Sequence, residues 1–316
     1  MSLALPTAAL AQSAPAATWP IKPIRLISPL PAGSAVDLVG RLIGQKLGAR
    51  LGQTIVVEDR PGASGAIGTE AVVRAAPDGY TLGMATSTTL ATAPVLNPKL
   101  PYDPIKDVTP VALVGVSPYV LVANAGLPAQ NVAELIALAK QKPGVISYSS
   151  VGEASLAHLA GLLFSSMAGV ELNHIPYKSS THAVIDLNEG RIDLQFGIIP
   201  TTLQFVRAGK LRALAVTTEK RLDELPDVPT FEEAGLKGFE ASLWFAVIAP
   251  KGMPAGIVAK LNREIAAVVA EPDVKTAWAA QGIFPQSSTS AALGERIARD
   301  LAKWRGVASG LKVKDE

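Results

Sequence analysis

From Ile24 onward the chain alternates short β-branched runs with amphipathic stretches of helical period, and this alternation restricts the fold more than any other feature. Ile24-Arg25-Leu26-Ile27-Ser28 is a strand-like run bounded by Pro23 and Pro29. Val39, Leu42, Ile43, Leu47 and Leu51 then recur at helical spacing until Gly52 stops them. Residues 54–58 and 81–85 read as further strands, with a helix predicted over 66–75 between them. Such alternation predicts an α/β fold in which a mostly parallel sheet is covered by helices on both faces.

Strands over 111–116 and 119–123 meet around Ser117-Pro118, and a second strand–helix series begins there. Asn131 and Glu134 form a capping signal that opens a helix through Lys140, and Pro143-Gly144 ends it. Further helices are predicted over 155–167, 183–188 and 201–208, with strands near Ser147, Leu172, Leu194 and Leu214. Thr230 and Glu233 make another capping signal before a short helix. The run 243–249 reads as a strand leading back, and beyond it only helices are predicted, over 255–270, 274–281 and 291–307. A purely helical tail cannot complete a new sheet, so it should return to cover the first lobe. The expected division is lobe one from 19–117 plus 243–316 and lobe two from 118–242, with a ligand cleft between them. Two connections of this kind make a hinge, and 316 residues suffice for two cores.

Several classes of function are excluded. There is no cysteine, which removes disulfide frameworks, thiolate nucleophiles, cysteine metal sites and a lipobox anchor. With 29 basic and 27 acidic residues and no basic run, nothing suggests a nucleic-acid partner. The three histidines, His158, His174 and His182, lack zinc-site spacing, and no motif calls for a metal or cofactor. At the N-terminus, Ala9-Leu10-Ala11 fits signal-peptidase cleavage before Gln12, so residues 1–11 read as a signal-peptide remnant. No later apolar stretch is long enough to span a bilayer. The expectation is a periplasmic protein that is soluble and not lipid-anchored.

Four loop regions sit where an α/β sheet usually binds ligands, past a strand's carboxyl end and before a helix. The first runs from Pro29 to Asp37: Gly33 allows close backbone approach, and the amides of Ser34, Ala35 and Val36 face the positive end of a helix dipole. Asp37 reads as a cap partner of Ser34 and not as a contact. The second is Thr86-Ser87-Thr88-Thr89. The third runs from Tyr148 to Ser155 and repeats the first, with Val151, Gly152 and Ser155 as contacts and His158 as a structural residue. The fourth pairs Pro176-Tyr177-Lys178-Ser179 with Phe196-Gly197-Ile198-Ile199-Pro200. Gly62-Ala63-Ser64-Gly65-Ala66-Ile67-Gly68 imitates a dinucleotide fingerprint but has the wrong glycine spacing. None of these loops assembles a nucleophile with a base.

The string Pro29-x-Pro31-x-Gly33-x-x-x-Asp37 resembles the opening of the Bug-type proteins, solute-binding components of tripartite tricarboxylate transporters. EDRPGASGAIGTEAVVRAAPDGYTL (58–82), LPYDPIKD (100–107), HLAGLLFSSMAGV (158–170), IPYK (175–178), GKLRALAVT (209–217) and LPDVPTFEEAG (225–235) carry the same resemblance in order. It implies a two-lobed type II periplasmic-binding-protein fold that holds a carboxylate through backbone amides and ordered water. Carried over position by position, it implies contacts at Leu30, Ser34, Ala35, Val36, Ser87, Thr88, Gly152, Ser155, Ser179 and Gly197, with Ile198 beside them.

The sequence departs from the family pattern at Leu30, Ser34, Val36, Ser179, His182 and Gly197, where the family often has an aromatic, Gly, Thr or Ser, Gly, Pro and Asp. Loss of a hydroxyl at Val36 and an acid at Gly197 points away from free amino acids, towards an aromatic or aliphatic mono- or dicarboxylate. The resemblance implies a monomer that hands its ligand transiently to membrane permease subunits. A sensor feeding a membrane kinase and an enzyme on the same scaffold are the alternatives.

Overall fold

A computed structural model describes residues 19–152 and 155–309, so the expected signal-peptide remnant lies outside the described residues. The first series comprises β1 (Ile24–Ser28), α1 (Ala35–Leu51), β2 (Ile55–Asp59), α2 (Ala66–Val73), β3 (Thr81–Thr86), α3 (Ala93–Leu96) and β4 (Val108–Ser117). The second comprises β5 (Tyr119–Asn124), α4 (Val132–Gln141), β6 (Ser147–Ser150), α5 (Leu156–Ala168), β7 (Asn173–Pro176), α6 (Ser180–Asn188), β8 (Leu194–Ile198), α7 (Ile199–Arg207) and β9 (Leu211–Val216). The chain closes with β10 (Leu243–Pro250), α8 (Ala255–Val269), α9 (Pro272–Ala279), β11 (Phe284–Pro285) and α10 (Ser290–Ser309).

These strands form two sheets, one ordered β11-β4-β10-β3-β1-β2 and one ordered β7-β6-β8-β5-β9. The mostly parallel expectation needs one correction. β5 pairs antiparallel with β8 and β9, and β10 pairs antiparallel with β3 and β4. Both are the strands that arrive from the other sheet. Ser117 at the end of β4 pairs with Leu243 at the start of β10, and Tyr119 at the start of β5 pairs with Ile198 at the end of β8. A strand entering at its neighbours' carboxyl ends must run back against them. The chain therefore passes between the sheets where their strands finish, and the loops after β1, β3, β6, β7 and β8 lie at those same ends.

Side chains alternate as the pleat requires. Phe245, Val247 and Ala249 of β10 join the core under α1, α8 and α9, while Trp244, Ala246 and Ile248 face α2 and α10. In the second sheet, Leu121 and Ala123 of β5 face α4 and α5, and Val120 and Val122 face α6 and α7. On α1, a Cβ added at Gly40 would lie 2.9 Å from Met84 Cγ and one at Gly44 would lie 3.2 Å from Val57 Cγ2. These small residues seat the helix deeply on β3 and β2.

Three further expectations are revised. The tail is not purely helical, because Phe284 and Pro285 form β11 against β4. Thr230 and Glu233 make a full capping box (Glu233 N–H to Thr230 Oγ1, 3.1 Å; Thr230 N–H to Glu233 Oε2, 2.8 Å), but only turns follow. The tail also covers more than the first sheet. Leu293, Ile297 and Leu301 of α10 pack on that sheet, whereas Trp304 is buried in the core of the second, with Ala91. A twenty-residue helix outlasts one sheet face, and its distal end finds apolar cover on α5.

The packing of α5 on β6 yields a first prediction. A methyl group at Gly161 would collide with the buried Tyr148 ring. Gly161→Ala should therefore lower stability by roughly 1–3 kcal/mol despite alanine's better helix propensity. Urea denaturation checks this, and an unchanged or raised midpoint would contradict the packing.

Candidate functional site

After β1 the backbone turns through Gly33 at φ 81°, a left-handed conformation that glycine adopts without a Cβ penalty. Ser34 caps α1: its Oγ accepts the Asp37 N–H at 3.4 Å, and Asp37 Oδ2 accepts the Gly33 N–H at 2.8 Å. Burial raises the pKa of the Asp37 carboxyl, but the Gly33 amide and the Arg41 guanidinium (Nε to Oδ1, 2.8 Å) outweigh burial and hold it below the usual carboxylate range. Asp37 is thus an ionised part of the cap. The Ser34 amide is also used, donating to Pro31 O at 3.1 Å. What the first turn of α1 offers outward is the amide pair of Ala35 and Val36, which no intrahelical carbonyl can reach.

Helices α5 and α6 repeat this construction from the second sheet. Ser155 Oγ accepts the His158 N–H at 3.2 Å, and Ser179 Oγ accepts the His182 N–H at 3.3 Å. The remaining first-turn amides are those of Leu156 and Ala157 in α5, and of Ser180 and Thr181 in α6. Gly152 sits at φ 114°, its N–H donates to Ser150 Oγ (3.1 Å), and its carbonyl accepts from Ser155 Oγ (2.8 Å). The amides of Gly33 and Gly152 are therefore consumed locally, contrary to the expectation of direct contact. Both glycines serve the backbone conformation that presents the next helix. Val151 beside Gly152 is exposed, and so are Lys178 and His182.

At two positions where the sequence departs from the family pattern, packing decides what the residue can present. Val36 is 1% exposed and packs in the core, so it can offer only its amide. Its lost hydroxyl therefore says little about the pocket wall. At Gly197 the position of a Cβ is occupied by Thr202 Cγ2, so the missing acid leaves no extra room. Leu30 and Ile198 are half-buried, and the Ile198 carbonyl accepts Thr201 Oγ1 (3.1 Å) and Thr202 Oγ1 (2.9 Å). Thr88 is half-buried, while Thr86 and Thr89 bond each other around the same turn (Thr86 N–H to Thr89 Oγ1, 3.0 Å).

Ser87 Oγ is buried without a hydrogen-bond partner, and so are Ser149 Oγ and Gln195 Oε1. Ser149, inside the third loop, and Gln195, which the sequence reading missed, are neighbours across β6 and β8. A glutamine between Leu194 and Phe196 in an apolar strand was the available signal. An unpaired buried polar group costs about 1–3 kcal/mol, which marks these three as candidates for an outside partner. The glycine string first dismissed as a decoy also has a role. Cβ atoms at Gly65 and Gly68 would press on Thr89 Cγ2 and Pro29 Cα, both at 2.7 Å, so this segment braces the loops after β1 and β3.

The fold brings a hydroxyl to an imidazole: Ser150 Oγ lies 2.7 Å from His174 Nε2. That hydroxyl is buried and also donates to the Gly152 carbonyl at 2.9 Å, so the pair braces the loop. His174 stacks on His158 with ring centroids 4.0 Å apart. Burial, and then the neighbouring His174, push the pKa of His158 down to about 4. Among the described residues no cluster suited to a metal ion occurs, and no helix is long and apolar enough to cross a membrane.

The family described as tripartite tricarboxylate transporter family receptor (TctC) matches residues 39–312. The protein BugT of Bordetella pertussis is 40% identical over 311 residues, covering 98% of this chain and 95% of its own. An R. palustris protein solved with adipate is 35% identical, covering 92% of this chain and 97% of its own with a TM-score of 0.71. A TctC solute binding protein from Polaromonas, solved with no ligand, is 30% identical, covering 93% of this chain and 100% of its own with a TM-score of 0.85.

The histidine stack supplies a second prediction. Between about pH 6.5 and pH 4 the unfolded chain protonates His158 and the folded chain does not, so the unfolded state binds more protons. Stability should fall as pH drops through that window, and His158→Gln should flatten the fall. Urea midpoints measured across this range test it; an identical pH slope in the variant would contradict the assignment.

Proposed function

The chain belongs to the tripartite tricarboxylate transporter receptor family, and on that premise we propose that it captures a small carboxylate between its lobes for a membrane permease. It is a solute-binding receptor and not an enzyme. The observation that carries the proposal is the set of three serine-capped helices, α1 from one sheet and α5 and α6 from the other. Each ends in two amides free of helix bonds, at the strand ends where the chain crosses. Such termini bind anions without a basic side chain.

The lobes in this reading are 19–117 plus 243–316 and 118–242, with the cleft between them. Contacts are assigned to the amides of Ala35 and Val36, the hydroxyls of Ser34, Ser87, Thr88 and Ser179, and the Ser155-capped amino end of α5. Leu30 and Ile198 form the apolar wall. Greater likeness to the ligand-free Polaromonas protein than to the adipate-bound one, despite lower identity, supports reading the present arrangement as open. Closure then needs a ligand that touches both lobes, since only differential affinity shifts the populations. Hydrogen bonds to a charged group contribute about 1.5–3 kcal/mol each. Three or four of them, less the losses of association, reach the roughly −8 kcal/mol of a micromolar complex.

An aromatic or aliphatic mono- or dicarboxylate fits better than an amino acid. Among the described residues of these loops the one carboxylate, Asp37, is engaged by Gly33 and Arg41 and unavailable to an ammonium. An ammonium enclosed without a partner loses several kcal/mol of hydration. The protein acts as a periplasmic monomer that hands its ligand to the permease transiently.

A thermal-shift series tests the assignment, because ligand at about a hundredfold its Kd adds about 2.7 kcal/mol to stability. Benzoate, terephthalate, adipate and malate should include the largest rise in Tm, and aspartate and glutamate should give small ones. An amino acid as the tightest ligand would overturn the ligand class, and no response to any carboxylate would overturn the capture reading.

A further inference from the structure

Three strands meet where the chain passes between the sheets: the start of β5, the end of β9 and the approach to β10. Thr217, fully buried, is bonded to all the others through each of its polar groups. Its N–H donates to Tyr119 O at 3.0 Å. Its Oγ1 accepts the Tyr119 N–H at 2.9 Å and donates to Tyr119 O at 3.1 Å. Its carbonyl accepts the hydroxyl of Ser242, the residue before β10, at 3.2 Å. One step earlier, Val216 still pairs with Val120 in the β5–β9 ladder. At Thr217 the hydroxyl takes the place its own carbonyl would fill in that ladder, which frees the carbonyl for Ser242.

The neighbouring segments leave little other freedom. Pro118 fixes its own φ between Ser117 and Tyr119. On both sides of Ser242 the chain is bolted to α10: before it Glu240 pairs with Arg296 and with Lys303 at 3.2 Å, and after it Trp244 Nε1 donates to Asp300 at 2.8 Å. Beside the junction lies a cavity of about 260 Å³ whose walls include Val116 and Phe284 from one sheet's side and Thr218 and Leu222 from the other.

We propose that Thr217 is the pin of the hinge, a positioning residue that ties the residue after the first crossing, Tyr119, to the residue before the second, Ser242, and so keeps both connections moving together. The hydroxyl holds the crossings together. This goes beyond the capture reading, since it assigns the residue that couples the two connections and not the solute.

The chain has no cysteine, so two introduced ones carry the only spin labels. Val56 on β2 and Val145 before β6 are 50% and 62% exposed and lie outside the candidate site, which suits Val56→Cys and Val145→Cys. Inter-label distances measured by pulsed electron resonance on the ligand-free protein should form one narrow distribution. Thr217→Val, which keeps the shape and loses the hydroxyl, should broaden it about twofold. Thr217→Ser should restore the original width. An unchanged width in the valine variant, or equal broadening in the serine variant, would overturn the proposal. If the valine variant does not fold, Ser242→Ala removes one bond of the junction and carries the same test: broadening supports the pin and an unchanged width overturns it. The readout needs no ligand, so it fails or succeeds independently of the carboxylate assignment.

Discussion

Both crossings between the sheets occur at the carboxyl ends of their strands, and this placement organises the rest of the molecule. It reverses β5 and β10 against their neighbours, since each begins where the others finish. It also gathers the loops after β1 and β3 from one sheet, and after β6, β7 and β8 from the other, on one seam. In α/β units a helix follows the strand, so the amino ends of α1, α5 and α6 are carried to the same seam. A strand entering from the far end would have scattered them.

The electrostatics follow from those termini. Each has a serine cap that absorbs the third amide of the turn and leaves the first two. The negative charge of Asp37 is offset by the Gly33 amide and the Arg41 guanidinium. The receptor therefore presents partial positive charge through backbone groups whose positions are set by covalent geometry. Such donors need no side-chain ordering when an anion arrives, in contrast to a lysine or arginine that must be immobilised. Ser87, Ser149 and Gln195 add buried polar atoms without hydrogen-bond partners, drawn from both sheets.

Much of this was legible in the residues. The strand-like run Ile24–Ser28 between two prolines and the helical stripe from Val39 to Leu51 are local signals, and the Ser34 cap with Asp37 three residues on is local too. Features set by distant neighbours were not legible. Nothing within Leu243–Pro250 reveals that it inserts antiparallel between β3 and β4. Phe284-Pro285 is too short to carry a period, and Trp304 looks like any apolar helix position although it joins the other sheet's core. The same limit applied within the site. Val36 and Gly197 were read as contact positions that had lost a hydroxyl and an acid, but a core position and the Thr202 methyl decide what they present.

The central claim is that paired first-turn amides grip the carboxylate, and a proline at the first helical position addresses it directly. Ser34 already has φ −70° and ψ 158°, the extended conformation that a following proline requires, so Ala35→Pro should leave the fold and melting behaviour of the free protein intact. It deletes one N–H and nothing else in the first turn. Titration calorimetry with the tightest carboxylate should show affinity lowered by about tenfold to a hundredfold, the worth of one hydrogen bond to a charged group. Unchanged affinity in a folded Ala35→Pro protein would contradict the account.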